Sequence, residues 1–147
     1  MIPHLSDDVR TWLYLMRLMK NITSRLDEHL EQYNLTSAQF DVMAQLRNSP
    51  GMQQQELANR LLVTKGNVVG LLNRMERADL VKRELHPDDG RAHLVSLTAR
   101  GAALAEQIVP EHEALIDEYF VLLEPVDRSS LHELARKFKR KLASKSV

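Results

Sequence analysis

Residues 53–98 read QQQELANRLLVTKGNVVGLLNRMERADLVKRELHPDDGRAHLVSLT, and this stretch decides the fold. Its first part, Gln53 to Leu61, carries apolar residues at helical spacing on one face. A break at Leu62-Val63 follows, and Thr64 is a residue type that caps the start of a helix. The opening of the stretch therefore predicts a short helix, a tight turn and the beginning of a second helix.

The second helix is predicted over Lys65 to Ala78. Its apolar residues follow the i, i+3, i+4, i+7 pattern of a helix with one buried side, namely Val68, Leu71, Leu72 and Met75. The opposite side carries Gly66, Gly70, Asn73 and Arg77, flanked by Asn67, Val69 and Arg74. Asn and Arg side chains bond base edges, and a small residue lets a helix backbone enter the major groove deeply. A merely solvated polar face is the alternative, but two glycines at about 1 kcal/mol each relative to Ala argue against it.

After Leu80 the pattern changes from helical to alternating, which predicts a β-hairpin. A first strand from Val81 is followed by the turn residues His86 to Gly90, and Leu94 to Leu97 forms the second strand. We expect the Asp-Gly pair to form the tip and Arg91 to project beyond it on a loop, where a guanidinium suits the narrow minor groove of DNA. Asp89 would either hold that arginine or cap the turn.

Helix, turn, helix and hairpin in this order make a winged helix-turn-helix, so double-stranded DNA is the expected partner. The residues expected at the DNA surface are Thr64, Lys65, Asn67, Val69, Asn73, Arg74, Arg77, Lys82, Asp89 and Arg91. Among these, Lys65 and Lys82 are expected to contact phosphates, which contributes affinity without sequence preference.

The wing also carries a family pattern. Asp-x-Arg followed by a strand ending in Val-x-Leu-Thr is met by Asp89, Arg91 and the residues 95–98. With this pattern the chain resembles, over nearly its whole length, the MarR (multiple antibiotic resistance regulator) family of bacterial transcription factors. It departs from the family at Gly90, where a second arginine is common, and at Met52-Gln53, where Ser or Thr usually caps the first helix of the motif. The resemblance implies a homodimeric regulator, most often a ligand-responsive repressor, that binds an inverted-repeat, palindromic operator.

Composition is that of an ordinary globular chain, and the charge is segregated. The net charge is zero, but Leu57 to Arg83 holds six bases against two acids, and Ala102 to Glu124 holds six acids and no base. Separated charge lets one face attract phosphate.

The chain has no cysteine, which excludes a thiol switch, and its start, MIPHLSDD, lacks the features of a signal peptide. With no apolar run of membrane-spanning length, the expected location is cytoplasmic, without a membrane partner.

The flanking segments are predicted to be helical, so the fold class is mainly α with a small β-hairpin wing. Asp7 to Asn34 carries a long apolar stripe, Thr36 and Gln39 form a capping box, a helix runs from Thr98 to about Leu123, and a last helix starts at Pro125. The last helix presents Leu131, Leu134, Phe138 and Leu142 on one side. We expect one domain, 1–147, with a DNA-binding portion at 36–98 and dimerisation helices at 1–35 and 99–147. The terminal helices have more apolar surface than a winged helix covers, so they should pair across a twofold axis.

The resemblance further implies a crevice between the dimerisation helices and the winged helix that accepts a small aromatic anion. Trp12, Met16, Arg17 and Tyr33 are expected to form its wall. A plain core role is the alternative for the apolar members of this set.

Other function classes find little support. His112-Glu113 begins like a zinc-protease HExxH, but the fifth position is Ile116, and the chain has no phosphate-binding loop or nucleophile elbow. We therefore expect no catalytic residue, no cofactor and no metal site. A metal-responsive regulator with His29 or His112 as ligands beside nearby acids stays open as an alternative. So does a helical protein-interaction module whose winged helix no longer binds DNA.

Overall fold

The computed structural model of the chain describes residues 5–49, 51–61 and 65–145. The helices are α1 (Asp7–Glu31), α2 (Ser37–Arg47), α3 (Gln54–Leu61), α4 (Lys65–Arg77), α5 (Ala99–Phe120) and α6 (Pro125–Lys145). The strands are β1 (Met52–Gln53), β2 (Val81–His86) and β3 (Asp89–Leu97). The predicted class, mainly α with a small β wing, is confirmed.

The chain forms two compact units, Met1–His112 and Glu113–Val147. The first holds α1 to α4, the sheet and most of α5, and the second holds the end of α5 together with α6. Compactness thus divides the chain after His112, whereas the predicted division by role falls at residues 36 and 98. None of the helices in the described ranges is both long and apolar enough to cross a membrane.

The core of the first unit lies where α2, α3, α4 and the sheet meet. All four members of the predicted α4 stripe are buried, with exposures of 5% or less: Val68, Leu71, Leu72 and Met75. Phe40, Met43 and Leu46 of α2 are buried with them, and the sheet contributes Met52, Val81 and Val95. Helical periodicity therefore predicted the inward faces correctly, because a helix in a small domain must bury its apolar stripe.

The capping box that starts α2 is confirmed. The backbone N–H of Thr36 donates to Gln39 Oε1 over 2.9 Å, and the backbone N–H of Gln39 donates to Thr36 Oγ1 over 3.2 Å. The two reciprocal bonds satisfy amide groups that have no partner inside the helix, which sets the point where α2 begins.

The sheet has three antiparallel strands in the order β1-β3-β2, with Met52 paired to Val95 and Val81 paired to Leu97. Strand β1 was not predicted, since two residues are too few to show an alternating pattern. The residues Met52 and Gln53 were instead expected to begin the first helix of the motif, which starts one residue later at Gln54.

The position predicted for the hairpin tip is wrong. His86 pairs with Asp89, so the turn consists of Pro87 and Asp88, and Gly90 already belongs to β3. Proline presets the backbone angle that the first turn position needs, and this preference outweighs the Asp-Gly signal. An irregularity between Leu85 and His86 then adjusts the register of the two strands.

The start of α5 is packed directly on the turn between α4 and β2. Thr98 donates its hydroxyl to Asp79 O over 2.6 Å and its backbone N–H to Leu80 O over 3.1 Å. A Cβ at Gly101 would lie 2.0 Å from Leu80 O, so only glycine permits this approach. The base of the wing is therefore held against α5.

Candidate nucleic-acid interface

Helix α4 presents an outward face opposite its buried stripe. Asn67, Val69, Arg74 and Arg77 are exposed there, and Gly70 and Asn73 are half-buried. Among the other residues expected at the DNA surface, Thr64 lies outside the described residues, and Lys65 is described only as the first residue of α4. The polar composition expected of a recognition helix is thus on the accessible side.

Gly70 lies in the middle of this face. A Cβ added at Gly70 would meet one atom of the described residues within 4 Å, the Arg74 Nη1 at 3.6 Å, which is an ordinary contact distance. Packing against the described part of the chain therefore leaves room for alanine at this position. A glycine that costs helix stability without relieving a clash in the chain is consistent with an outside partner that approaches the backbone.

The wing places Asp89 and Arg91 on its exposed surface. The Asp89 carboxylate accepts the backbone N–H of Arg91 over 3.0 Å, so this aspartate caps the turn. Within the described residues no ion pair joins the two side chains. Arg91 lies in strand β3 and not on a projecting loop as predicted, because the turn ends at Asp88, three residues before it. Lys82, on β2, is exposed and pairs with Glu84 over 3.3 Å.

A cleft of about 290 Å³ separates the first turns of α3 and α4 from the outer part of the wing. Its lining brings together three residues predicted at the DNA surface, Val69, Asp89 and Arg91, with Gln53, Gln54, Gln55, Val68, Ala92 and His93. The glutamines and His93 were missed. The run of three glutamines was read only as the start of a helix, although amide side chains at that place can bond DNA phosphates.

Asn73 is tied to the wing. The Nη2 atom of Arg83, on β2, donates to Asn73 Oδ1 and, over 2.6 Å, to Glu76 Oε2. Because a guanidinium has donors only, the amide oxygen of Asn73 must face Arg83 and the amide nitrogen must face away. The predicted contact of Asn73 with bases stays a prediction for that nitrogen.

The Arg83–Glu76 pair is partly buried, with side-chain exposures of 19% and 34%. The hydrogen bond from Arg83 lowers the pKa of Glu76, and the same bond raises the pKa of Arg83. Both groups are therefore charged at neutral pH. The sequence pattern shows Arg83 as a strand residue and as one base of the stretch from Leu57 to Arg83, and neither property reveals this contact.

A second polar cluster lies between α1, α2 and α5 in the first unit. Glu111 Oε2 accepts the Tyr33 hydroxyl over 2.7 Å and lies 2.9 Å from His29 Nε2, and Gln107 donates to the Tyr33 hydroxyl over 3.1 Å. The bond from Tyr33 and then that from His29 lower the pKa of Glu111, and the same contact with Glu111 raises the pKa of Tyr33. Nearby, the ring of His112 stacks on Phe40 with centroids 3.9 Å apart.

The predicted ligand wall is not assembled in one place. Trp12 and Met16 are 60% and 50% exposed, and Arg17 is exposed beside them. Tyr33 lies beyond the end of α1 at Glu31, which at about 1.5 Å per residue is more than about 20 Å along the axis from Arg17. A small molecule therefore cannot contact all four residues of one chain. The four residues were grouped by their place on or near the first helix, which says nothing about distance along its axis, and the ligand role of Trp12, Met16 and Arg17 stays a prediction.

The two histidines of the metal-responsive alternative lie close to each other, with His29 and His112 ring centroids 6.3 Å apart and Glu111 beside His29. The described part of the chain nevertheless contains no group of three or more His, Asp or Glu residues that could hold a metal ion.

Large apolar side chains are exposed on both terminal helices. On α6, Leu131, Leu134, Phe138 and Leu142 are 38%, 64%, 67% and 58% exposed, and α6 has no buried residue. On α1, Trp12, Leu15, Met16 and Met19 are at least 43% exposed. Such contiguous apolar faces mark surfaces for association.

Comparisons with known proteins agree with this arrangement. A family model described as MarR family matches residues 33–92. An HTH-type transcriptional regulator of Bacillus cereus is 33% identical over 127 residues, which cover 86% of this chain and 84% of that protein. The structure of AbsC, a MarR family transcriptional regulator from Streptomyces coelicolor, has a TM-score of 0.87 and 26% identity, covering 95% of this chain and 97% of AbsC.

A third comparison concerns regulation. BpsR of Bordetella bronchiseptica, whose DNA binding is regulated by 6-hydroxynicotinic acid, has a TM-score of 0.80 and 26% identity, covering 92% of this chain and 96% of BpsR. These relatives are regulators of transcription and not enzymes. The outward face of α4, the wing and the similarity over most of the chain agree with each other. The chain therefore belongs to the MarR family of winged helix-turn-helix, DNA-binding transcriptional regulators.

Proposed function

We propose that the chain is a cytoplasmic homodimeric repressor that binds an inverted-repeat operator and is released by a small aromatic anion. The observation that carries the proposal is the outward face of α4, where Asn67 and Arg74 flank Gly70, a glycine that packing against the described residues does not require. In this arrangement each α4 enters a major groove and each wing reaches the adjacent minor groove.

The contacts divide by chemistry. Asn67, Asn73 and Arg74 face base edges or orient the helix in the groove, and Arg91 inserts its guanidinium into the minor groove. Lys65 and Lys82 pair with phosphates, and the remaining contacts are assigned to Thr64, Val69, Arg77 and Asp89. Six bases against two acids between Leu57 and Arg83 supply the attraction for phosphate, although the chain is neutral as a whole.

The dimer is proposed from the apolar faces of the terminal helices. Phe138 and Leu134 are more than 60% exposed in the single chain. Burying a side chain of this kind fully is worth about 1.5–3 kcal/mol, so a partner chain that covers the α6 face gains substantially from it. An isologous interface also places the two α4 helices symmetrically, as an inverted repeat requires.

The ligand class is proposed from chemistry and from a relative. The chain has no cysteine, so it cannot form a sulfenate or disulfide switch. The related BpsR responds to 6-hydroxynicotinic acid, an aromatic acid. Trp12, Met16 and Arg17 combine apolar area with a cation, which suits a ring bearing a carboxylate, and Tyr33 belongs to the separate cluster around Glu111. A ligand that reverses a 99:1 preference for the DNA-competent form must favour the other form by about 5 kcal/mol.

The test is binding of the purified chain to a duplex taken from its own upstream DNA, followed by fluorescence anisotropy across a salt series. We expect Arg91→Ala to cost about 1–3 kcal/mol on the operator, and Lys82→Met to weaken operator and random DNA alike. Arg25→Met is the control, because Arg25 is an exposed cation on α1 whose ion pair, among the described residues, is with its neighbour Glu28 on the same helix, over 3.4 Å. If Arg91→Ala binds like the control, the wing assignment is wrong. If the unaltered chain prefers no sequence in its upstream DNA, the repressor proposal fails.

A further inference from the structure

We infer that Arg83 is a positioning residue for DNA binding: without contacting DNA, it holds the wing at the angle to α4 that lets Arg91 reach the minor groove. The inference rests on the proposed function for its DNA step, and its structural step stands on geometry alone.

The first observation is the contact itself. Arg83 Nη2 bonds Glu76 Oε2 over 2.6 Å and also bonds Asn73 Oδ1, so one guanidinium nitrogen on β2 joins two side chains on successive turns of α4. The Arg83 side chain is 19% exposed, which is far less than the 56% of its neighbour Lys82. A charge shielded in this way is engaged inside the protein and is poorly placed to contact a phosphate. The lowered pKa of Glu76 agrees with a persistent ion pair.

The second observation is where the contact lies along the wing. The base of the wing is held by the Thr98 bonds to Asp79 and Leu80. Farther out, β3 from Asp89 to His93 stands across the cleft of about 290 Å³ from Val68 and Val69. Arg83 lies between these two parts, because it pairs with Val95, midway along the β2–β3 ribbon. β1 also pairs with β3 at Val95 and Leu94, so the ribbon has only two strands beyond this level. Among the described residues, Arg83 makes the outermost side-chain hydrogen bonds from the ribbon to α4, and the part beyond them stands over the cleft.

An isolated two-stranded ribbon is only marginally stable in water, so the position of the outer ribbon depends on the contacts that support it. Loss of the Arg83 contact frees the outer ribbon to pivot over the cleft, and the pivot displaces Arg91, which is eight residues farther along the chain. The same loss releases the amide of Asn73, whose orientation Arg83 sets. Both effects change where the DNA-facing side chains of Arg91 and Asn73 lie, although Arg83 itself does not contact DNA.

The first experiment measures the wing without DNA. The chain has no cysteine, so Asp88→Cys at the turn of the wing and Ala103→Cys on α5, both at exposed positions, allow selective spin labelling. Labelled chain is diluted into unlabelled chain so that only distances within one protomer are recorded. We expect Arg83→Met and Glu76→Gln to broaden the distance distribution. Arg83→Lys should keep the distribution nearly as narrow as in the unaltered chain, because one ammonium can replace the single nitrogen that makes both bonds.

The matched control is Arg47→Met. Arg47 also makes a two-bond contact with a glutamate, Glu106, over 3.0 and 3.1 Å, but this pair joins α2 to α5. The Arg47→Met substitution removes the same kind of ion pair and should leave the distance distribution unchanged. If Arg83→Met leaves the distribution as narrow as this control does, the positioning role is refuted, whatever the DNA measurements give.

The second experiment measures operator affinity against salt. Arg83→Met should weaken binding roughly tenfold, the scale of one lost specific contact, without changing the salt slope. Lys82→Met should lower the slope by about 0.9, as expected for a lost phosphate contact. In the Arg83→Met background, Arg91→Ala should cost much less than in the unaltered chain. A slope reduced as much as by Lys82→Met would mean that Arg83 itself contacts phosphate, which overturns the inference. Failure of the unaltered chain to bind any operator would instead refute the proposed function, and the spin-label distances would still decide the positioning role.

Discussion

Gly70→Ala separates the stability of α4 from its fit to DNA. Among the described residues, the added Cβ would meet only Arg74 Nη1, at 3.6 Å, so the substitution creates no clash with them. Alanine is favoured over glycine in a helix interior by about 1 kcal/mol. The free energy of unfolding should therefore rise by about 1 kcal/mol, which for a chain of this size corresponds to roughly 2–4 °C in Tm.

The same methyl group should weaken DNA binding. Gly70 lies on the outward face between Asn67 and Arg74, where we propose that the helix backbone approaches the base edges. A methyl group in that approach pushes the helix outward and lengthens the contacts on either side of it. We expect a loss of about 1–3 kcal/mol in operator binding, comparable to the loss of one good base contact.

The assay pairs thermal and urea unfolding of each variant with fluorescence anisotropy on a labelled operator duplex. Gly101→Ala provides the contrast, because its Cβ would lie 2.0 Å from Leu80 O and the backbone must shift to admit it. That variant should lose stability, by about 1–3 kcal/mol or more as overpacked sites do. The reasoning is refuted if Gly70→Ala binds the operator as tightly as the unaltered chain, since the groove would then have room for the methyl group. A less stable Gly70→Ala would refute the packing argument.

Three further predictions concern other parts of the molecule. Replacing Leu134 and Phe138 together with lysine should turn a dimer into a monomer or unfold it, and sedimentation of the unaltered chain as a folded monomer at micromolar concentration would contradict the dimer. Glu76→Gln should destabilise the chain at pH 7 but progressively less as the pH falls below the ordinary glutamate pKa of 4.5. The reason is that folding lowers the pKa of this carboxyl, so its contribution to stability is lost when it is protonated. Equal destabilisation at pH 7 and pH 3 in urea unfolding would contradict a charged pair with Arg83. Salicylate-like acids should quench Trp12 emission and release the operator over one concentration range, whereas release by peroxide without any response to such acids would indicate a different sensor.

Much of the fold follows from local patterns. The buried stripe of α4 at Val68, Leu72 and Met75 follows from the 3.6-residue period, and the capping box at Thr36 follows from the bonding capacity of one side-chain pair. These features depend on residues within one or two turns of each other. They are accordingly readable before any tertiary contact is known.

The sequence-based predictions were wrong or incomplete where two local preferences compete or where the contacting residues are far apart in the chain. The turn forms at Pro87 and Asp88 because the proline preference prevails over Asp-Gly, and β1 exists only because Met52 finds Val95 as a partner 43 residues away. Tyr33 was grouped with Trp12 because both were assigned to one helix stripe, although the length of α1 separates them.

The winged helix-turn-helix, the absence of a thiol switch and the outward side of α4 could be read from the sequence, because periodicity, residue chemistry and composition are local properties of the chain. The family was recognised by the resemblance of the wing motif at Asp89, Arg91 and residues 95–98. Tertiary structure alone decided that Arg83 bonds Glu76 and Asn73, that Gly101 must admit the backbone of Leu80, and that Glu111 gathers His29 and Tyr33. Each of these contacts joins different elements, and most join residues far apart in the sequence. Their partners are set by how helices and strands pack, which no periodicity within a single element records.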